Sequence, residues 1–127
     1  MIVLDTSTLI DLFRGVEQTR KFISEDPATT VITYHEIFAG VKHRGAKKEE
    51  KFFRRFFSEI EVLGLDPMAA EKSSEIMANL LKLGIPVNSM DVLIAGIAVA
   101  NGAERLVSRD QDFTNIAKVS ELEVLVY

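Results

Sequence analysis

The chain has 127 residues, 47% of them hydrophobic and 27% charged, which is enough apolar material to bury a core and excludes wholesale disorder. It contains no cysteine, so disulfide staples, thiolate metal sites and cysteine nucleophiles are excluded together. Fifteen basic against 19 acidic side chains give a net charge of −4, the wrong sign for a domain whose whole surface grips nucleic acid.

In chain order, Ile2-Val3-Leu4 reads as a short buried strand closed by Asp5-Thr6-Ser7-Thr8 and passing straight into a helix with Leu9, Ile10 and Phe13 on its apolar face. No basic stretch precedes that apolar run, so it does not read as a secretory signal, and a cytoplasmic protein is expected. Gly15 ends the helix. Val16 to Ser24 reads as a second short helix stopped at Asp26-Pro27, and the β-branched run Thr29 to Thr33 as a second strand. Thr33-Tyr34-His35-Glu36 fits a capping box opening a helix through Ile37, Phe38 and Val41 to about Arg44-Gly45.

Lys47 to Glu59 is strongly helical, and Glu61 to Leu65 a third strand. Pro67 opens a helix carrying Ala69, Ala70, Ile76, Met77, Leu80 and Leu81 up to Gly84. Ser89 reads as the N-cap of a helix from Met90 to Ala100, apolar nearly all round and hence central, closed by Asn101-Gly102. Its apolar run from Val92 to Ala100 is about half the roughly 20 residues that cross a bilayer, so no membrane span is expected. Arg105 to Ser108 is a strand, Asp110 to Ala117 a helical turn or short helix, and Leu122 to Val126 a terminal strand. Short apolar strands alternating with helices predict one domain over residues 1–127, a three-layer α/β/α sandwich around a mainly parallel sheet.

Ligands of such sheets bind beyond the carboxyl ends of the strands. Asp5, Glu36, Asp110 and Asp112 follow strands there, and Asp91 lies in the first turn of the apolar helix. Each acid has a purely structural role open to it, because carboxylates cap and favour helix N-termini. Jointly they make a different case: carboxylates brought to one rim repel one another and require a neutralising cation. Oxygen donors without cysteine or paired histidines suit a hard ion, Mg²⁺ or Mn²⁺, rather than zinc. A metal held in this way completes its shell with water and phosphate oxygens, which points to phosphodiester hydrolysis.

Four segments carry a family resemblance: Ile2-Val3-Leu4-Asp5-Thr6-Ser7, Thr33-Tyr34-His35-Glu36 with Gly40, Ser89-Met90-Asp91-Val92-Leu93-Ile94-Ala95, and Leu106-Val107-Ser108-Arg109-Asp110-Gln111-Asp112-Phe113. In order and spacing they resemble the PIN domain, and within it the VapC-type toxin ribonucleases of toxin–antitoxin pairs. The resemblance implies a PIN-like fold and a Mg²⁺- or Mn²⁺-dependent endoribonuclease with Asp5, Glu36, Asp91 and Asp110 as its acidic cluster. It implies Asp5 and Asp91 as metal ligands, Thr6 and Ser108 as supporting polar groups, and Asp112 sharing or replacing the role of Asp110. It also implies a VapB-like antitoxin as protein partner and a homodimer.

Charge is uneven. Lys42, Arg44, Lys47, Lys48, Lys51, Arg54 and Arg55 against Glu49 and Glu50 make a +5 segment and leave −9 elsewhere. Lys42, Arg44, Lys47 and Lys48 are candidate contacts to an RNA backbone; a solvated helix face is the alternative. Phe52, Phe53, Phe56 and Phe57 hold half of the eight phenylalanines and form one broad helix face, open to core packing or to a partner helix. His35 and His43 read as solvated or locally bonded.

Other classes stay open at this point. A phosphorylated receiver-like domain wants an aspartate on a mid-chain strand, and none lies between Asp26 and Asp66. A haloacid-dehalogenase-like phosphatase wants a second aspartate where Ser7 stands. A non-catalytic PIN-like interaction module keeps the fold without the chemistry.

Overall fold

The computed structural model of the chain describes residues Met1–Tyr127. β1 (Ile2–Leu4) leads into α1 (Thr6–Phe13) and a 3₁₀ segment (Glu17–Ser24), followed by β2 (Pro27–Thr30), α2 (Val31–Arg44), α3 (Lys47–Glu59) and β3 (Glu61–Leu63). The second half adds α4 (Pro67–Lys82), α5 (Ser89–Ala100), β4 (Arg105–Ser108), α6 (Phe113–Lys118) and β5 (Val124–Val126). No helix is long and apolar enough to cross a membrane.

The strands form one parallel sheet in the order β3-β2-β1-β4-β5, with Ile2, Val3 and Leu4 opposite Arg105, Leu106 and Val107. β1 is central, and all three of its residues are buried, as a strand covered on both faces requires. The two-residue period of the strands sends alternate side chains into two cores. Val3, Ala28 and Leu106 pack with Ile76, Leu80, Ile94, Ile97, Phe113 and Ile116 of α4, α5 and α6. Ile2, Leu4 and Val107 pack with Leu9, Ile37, Phe38, Val41, Phe53 and Phe57 of α1, α2 and α3. The sheet is therefore the middle of three layers.

From β1 the chain winds outward through β2 and β3, then returns to the other side of β1 for β4 and β5. The direction reverses between β1 and β4, and the helices that follow these two strands, α1 and α6, lie on opposite faces. A crevice therefore opens beyond the carboxyl ends of β1 and β4. A receiver domain has a different order, 2-1-3-4-5, which removes that reading.

Several boundaries differ from those expected. The strand expected over Thr29 to Thr33 spans Pro27–Thr30, because the Thr30 hydroxyl accepts the Thr33 N–H at 3.2 Å and starts α2 at Val31. This cap overrides the β preference of Val31 and Ile32, and Thr33 and Glu36 consequently form no capping box. Asn88, not Ser89, caps α5, its side-chain oxygen accepting the Met90 N–H at 2.8 Å. The expected helix over Val16 to Ser24 is 3₁₀, β3 and β5 are shorter than expected, and α6 begins only at Phe113.

α4 and α5 pack at Gly96, where an added Cβ would lie 2.5 Å from the Ser73 Cβ and 2.7 Å from the Ser73 backbone nitrogen. Neither neighbour can move without shifting α4. Gly96→Ala is expected to destabilise the fold by about 1–3 kcal/mol in denaturant unfolding. Gly40→Ala is the control: its methyl meets only the movable Arg44 guanidinium, and unchanged or raised stability is expected.

Candidate active site

Asp5 is the last extended residue before α1 and lies at the end of the central strand, only 4% exposed. Its Oδ1 accepts the Thr8 N–H at 3.0 Å and so caps α1, as the structural reading expected. Its Oδ2 accepts the Ser108 hydroxyl at 2.6 Å, and the Ser7 hydroxyl lies 2.9 and 3.1 Å from the two oxygens. Burial pushes the Asp5 carboxyl above its ordinary range, and the bonds from Ser108, Thr8 and Ser7 oppose that push.

Ser108, fully buried at the end of β4, reaches Asp5 with its hydroxyl, and that oxygen also accepts the Asp110 N–H at 2.9 Å. The Arg109 N–H donates to Ser7 Oγ at 3.1 Å. The loop after β4 is thus tied to the start of α1. Asp110 Oδ1 accepts the Asp112 N–H at 2.9 Å, an Asx turn that folds the loop back and keeps Asp110 outside α6.

Asp91 stands in the first turn of α5 and faces this loop. One carboxylate oxygen each from Asp91, Asp110 and Asp112 lie within 4.8 Å of one another. Asp112, expected to share or replace the role of Asp110, lies beside it in this triangle. Asp5 and Glu36 stand outside that triangle but act on Asp91 through their charge. Burial, followed by the charges of Asp110, Asp5, Glu36 and Asp112, pushes the Asp91 carboxyl up to about 7. Glu36 comes from the second turn of α2, and its Oε1 accepts the Thr6 hydroxyl at 2.6 Å. Thr6 therefore steadies Glu36 rather than Asp5. The donor set is all carboxylate oxygen, and the charges of the neighbouring acids add to burial in raising Asp91, so the cluster fits a hard divalent cation.

Of the candidate RNA contacts, Lys42, Lys47 and Lys48 are exposed and make no ion pair, whereas Arg44 is held by Glu49 at 2.7 Å. Lys42 is six residues beyond Glu36, about 9 Å further along α2. The phenylalanine face divides. Phe53 and Phe57 are core residues, 1% and 8% exposed, which corrects their assignment to a partner surface. Phe52 and Phe56 stack on each other and line a cavity of about 750 Å³ with Leu12, Ile23 and Ile60. That cavity and a second one of about 490 Å³ between α4, α5 and the segment after α6 contain none of the clustered acids.

Sequence reasoning passed over Ser7 and Asp11. They are four residues apart on α1 and so share one stripe of a helix whose other residues are mostly apolar, a signal readable in advance. Asp11 is 2% exposed and accepts Arg109 Nη1 at 3.1 Å and the Tyr127 hydroxyl at 2.8 Å.

With this geometry established, the comparisons with known proteins are specific. The chain matches the family described as PIN domain over residues 2–119. The chain belongs to the PIN domain family. Ribonuclease VapC5 of Mycobacterium tuberculosis is 27% identical to this PIN domain over 126 residues, covering 97% of this chain and 93% of that protein. In the crystal structure of DNA-bound VapBC from Salmonella typhimurium, one chain superposes with a TM-score of 0.82 at 26% identity, covering 98% of this PIN domain and 96% of that chain. VapBC2 from Rickettsia felis, bound to a DNA fragment from its promoter, gives a TM-score of 0.86 at 19% identity, with 100% and 99% covered. At that identity the second likeness speaks for the fold alone.

Asp91 carries a testable consequence. With its pKa raised from 3.8 to about 7, the metal-free folded state binds more protons than the unfolded chain across that window. The contribution of Asp91 to stability is therefore fully present below about pH 4 and is lost as pH rises through about 7. Asp5, shifted in the same direction, adds to the trend. In thermal unfolding with EDTA, the contribution of Asp91 is expected to fall between pH 5 and pH 8, and Asp91→Asn to flatten the slope. Added Mn²⁺ should raise the Tm more at pH 8 than at pH 5.5, because ligation needs the ionised carboxylates.

Proposed function

We propose that this PIN domain is a Mg²⁺- or Mn²⁺-dependent endoribonuclease, the toxin of a toxin–antitoxin pair, inhibited by a VapB-like protein. The observation that carries this reading is the carboxylate rim of Asp91, Asp110 and Asp112 beside Asp5, at the point where the sheet reverses direction. The alignment of nearly the whole chain with ribonuclease VapC5 supports it, as does the superposition on a chain of the Salmonella VapBC complex at 26% identity.

In this reading Asp91, Asp110 and Asp112 would hold the cation, and Asp5, kept in place by Ser7, Thr8 and Ser108, would add a carboxylate to the same site. When bound, the metal supplies a water of lowered pKa and neutralises charge on the scissile phosphate. The chain's own groups set the geometry. Ser108 and Ser7 hold Asp5 in one rotamer, and the Asx turn at Asp110 presents two carboxylates from one short loop. Thr6 fixes Glu36 at the edge of the rim, where it is placed to accept a proton from water. Ser7, standing where a haloacid-dehalogenase-like site wants an aspartate, donates to Asp5 and leaves no second acid there.

Lys42, Lys47 and Lys48 guide the RNA backbone toward the rim from the far end of α2; Arg44, neutralised by Glu49, contributes less. The groove at Phe52 and Phe56 receives an apolar segment of the antitoxin. Residues 1–127 act as one nuclease domain in the cytoplasm. Leu81 and Leu83, 69% and 62% exposed, support self-association as a homodimer.

The test is cleavage of a defined RNA pool by purified protein. Cleavage is expected with Mg²⁺ or Mn²⁺ and not with EDTA, and Asp91→Asn and Asp5→Asn are each expected to lose at least about a hundredfold in rate, on the scale of removing a group that acts on the reacting charge. Metal-independent cleavage, or full activity in Asp91→Asn, contradicts the reading.

A further inference from the structure

Arg109, Asp11 and Tyr127 form a hydrogen-bonded network that includes none of the clustered acids. Asp11 is buried in α1, and its two oxygens are occupied separately: Oδ1 by Arg109 Nη1 at 3.1 Å, Oδ2 by the Tyr127 hydroxyl at 2.8 Å. The partners are 98 and 116 residues away in sequence, so the network joins α1, the loop after β4 and the end of β5. Tyr127 is tied twice, since its backbone N–H also donates to the Ser108 carbonyl at 3.2 Å. Burial holds the Tyr127 phenol well above its ordinary range, so it stays a donor to Asp11 throughout the working pH range.

Arg109 lies between Ser108, which bonds Asp5, and Asp110, which with Asp112 completes the carboxylate triangle. Its backbone is fixed by Ser7, and its guanidinium is clamped to Asp11. Arg109 adjoins Asp110 in the chain, yet its guanidinium pairs with the buried Asp11 instead. Ties at both backbone and side chain restrain this loop, and with it the separation of Asp110 and Asp112 from Asp91.

We propose that Arg109, Asp11 and Tyr127 are positioning residues that lock the loop carrying Asp110 and Asp112 at the distance from Asp91 that a divalent cation requires. This inference rests on the metal-site reading given above. Partners that orient metal ligands in this way typically alter affinity by about ten- to a hundredfold when removed.

Charge separates this role from a general electrostatic one. Removing Arg109 alone takes a positive charge from beside the acids, which by field alone tightens cation binding; loss of positioning weakens it. The double variant Asp11→Asn/Arg109→Met removes one charge of each sign, leaves no ion unpaired in the protein interior and keeps the net charge of −4.

The experiment is Mn²⁺ titration followed by calorimetry, with Mn²⁺ electron paramagnetic resonance as a second readout, on wild type, Arg109→Met, Arg109→Lys, Tyr127→Phe and the double variant at pH 8. Wild type is expected to bind, Arg109→Met and the double variant about tenfold or more weakly, and Arg109→Lys to recover part of the loss. Tyr127→Phe is expected to fall between wild type and Arg109→Met. A folded double variant with wild-type Mn²⁺ affinity, or tighter binding in Arg109→Met, overturns the positioning role while leaving the metal site intact. Absence of binding in wild type overturns the metal-site reading and this inference together.

Discussion

Asp5 is a carboxylate at the end of the central strand, with almost no contact with water, directly after three buried apolar residues. Burial alone would force it to take up a proton, and three donors oppose that: the Thr8 amide, the Ser7 hydroxyl and the Ser108 hydroxyl. These donors come from α1 and from the end of β4, so satisfying Asp5 requires β1 and β4 to lie side by side in parallel register. The pairing of Leu4 with Val107 supplies that register. The fold and the site therefore share one constraint: the contacts that oppose protonation of Asp5 are those that bring the two halves of the chain together at the reversal of the sheet.

From that point the rest of the rim follows. Fixing Ser108 on Asp5 fixes the Asp110 amide on Ser108, and the Asx turn then sets Asp112 beside Asp110. α5, apolar on nearly every side and packed against α4 at Gly96, is held rigidly enough to bring Asp91 up to that loop. The result is an arrangement at odds with its own electrostatics, with Asp91 driven to about 7 by burial and by four neighbouring acids. Perturbation of this kind, at a strand-end crevice, marks the acids as candidates for a functional site. The stabilisation that the cores provide is partly spent on holding these charges together.

Much of this was legible in the sequence because it depends on local chemistry. Ile2-Val3-Leu4 followed by Asp5, the all-apolar stretch from Val92, and Pro67 at a helix start each specify their element without help from distant residues. Caps were harder. Thr30 and Thr33, or Asn88 and Ser89, are equally able to cap a helix, and only the surrounding backbone decides which hydroxyl or amide is used. The phenylalanine run was ambiguous for a related reason: a turn of about 100° separates Phe52 from Phe53, and the sequence does not say which of the two stripes meets the sheet. Least legible were the long-range ties, Thr6 to Glu36 and Asp11 to Arg109 and Tyr127, because nothing in one stretch of chain marks its partner far away in another. Whether Asp112 stands with Asp110 or in its place was not readable either, because that depends on the Asx turn at Asp110.

The central claim is that the carboxylate rim is built to hold a hard divalent cation. Anomalous diffraction at the manganese edge from crystals equilibrated with Mn²⁺ at pH 8 tests it most directly. The account predicts a strong peak between Asp91, Asp110 and Asp112, on the side of Asp5, that is lost in Asp91→Asn. No peak at this rim under saturating Mn²⁺, or a peak that persists unchanged in Asp91→Asn, would contradict it.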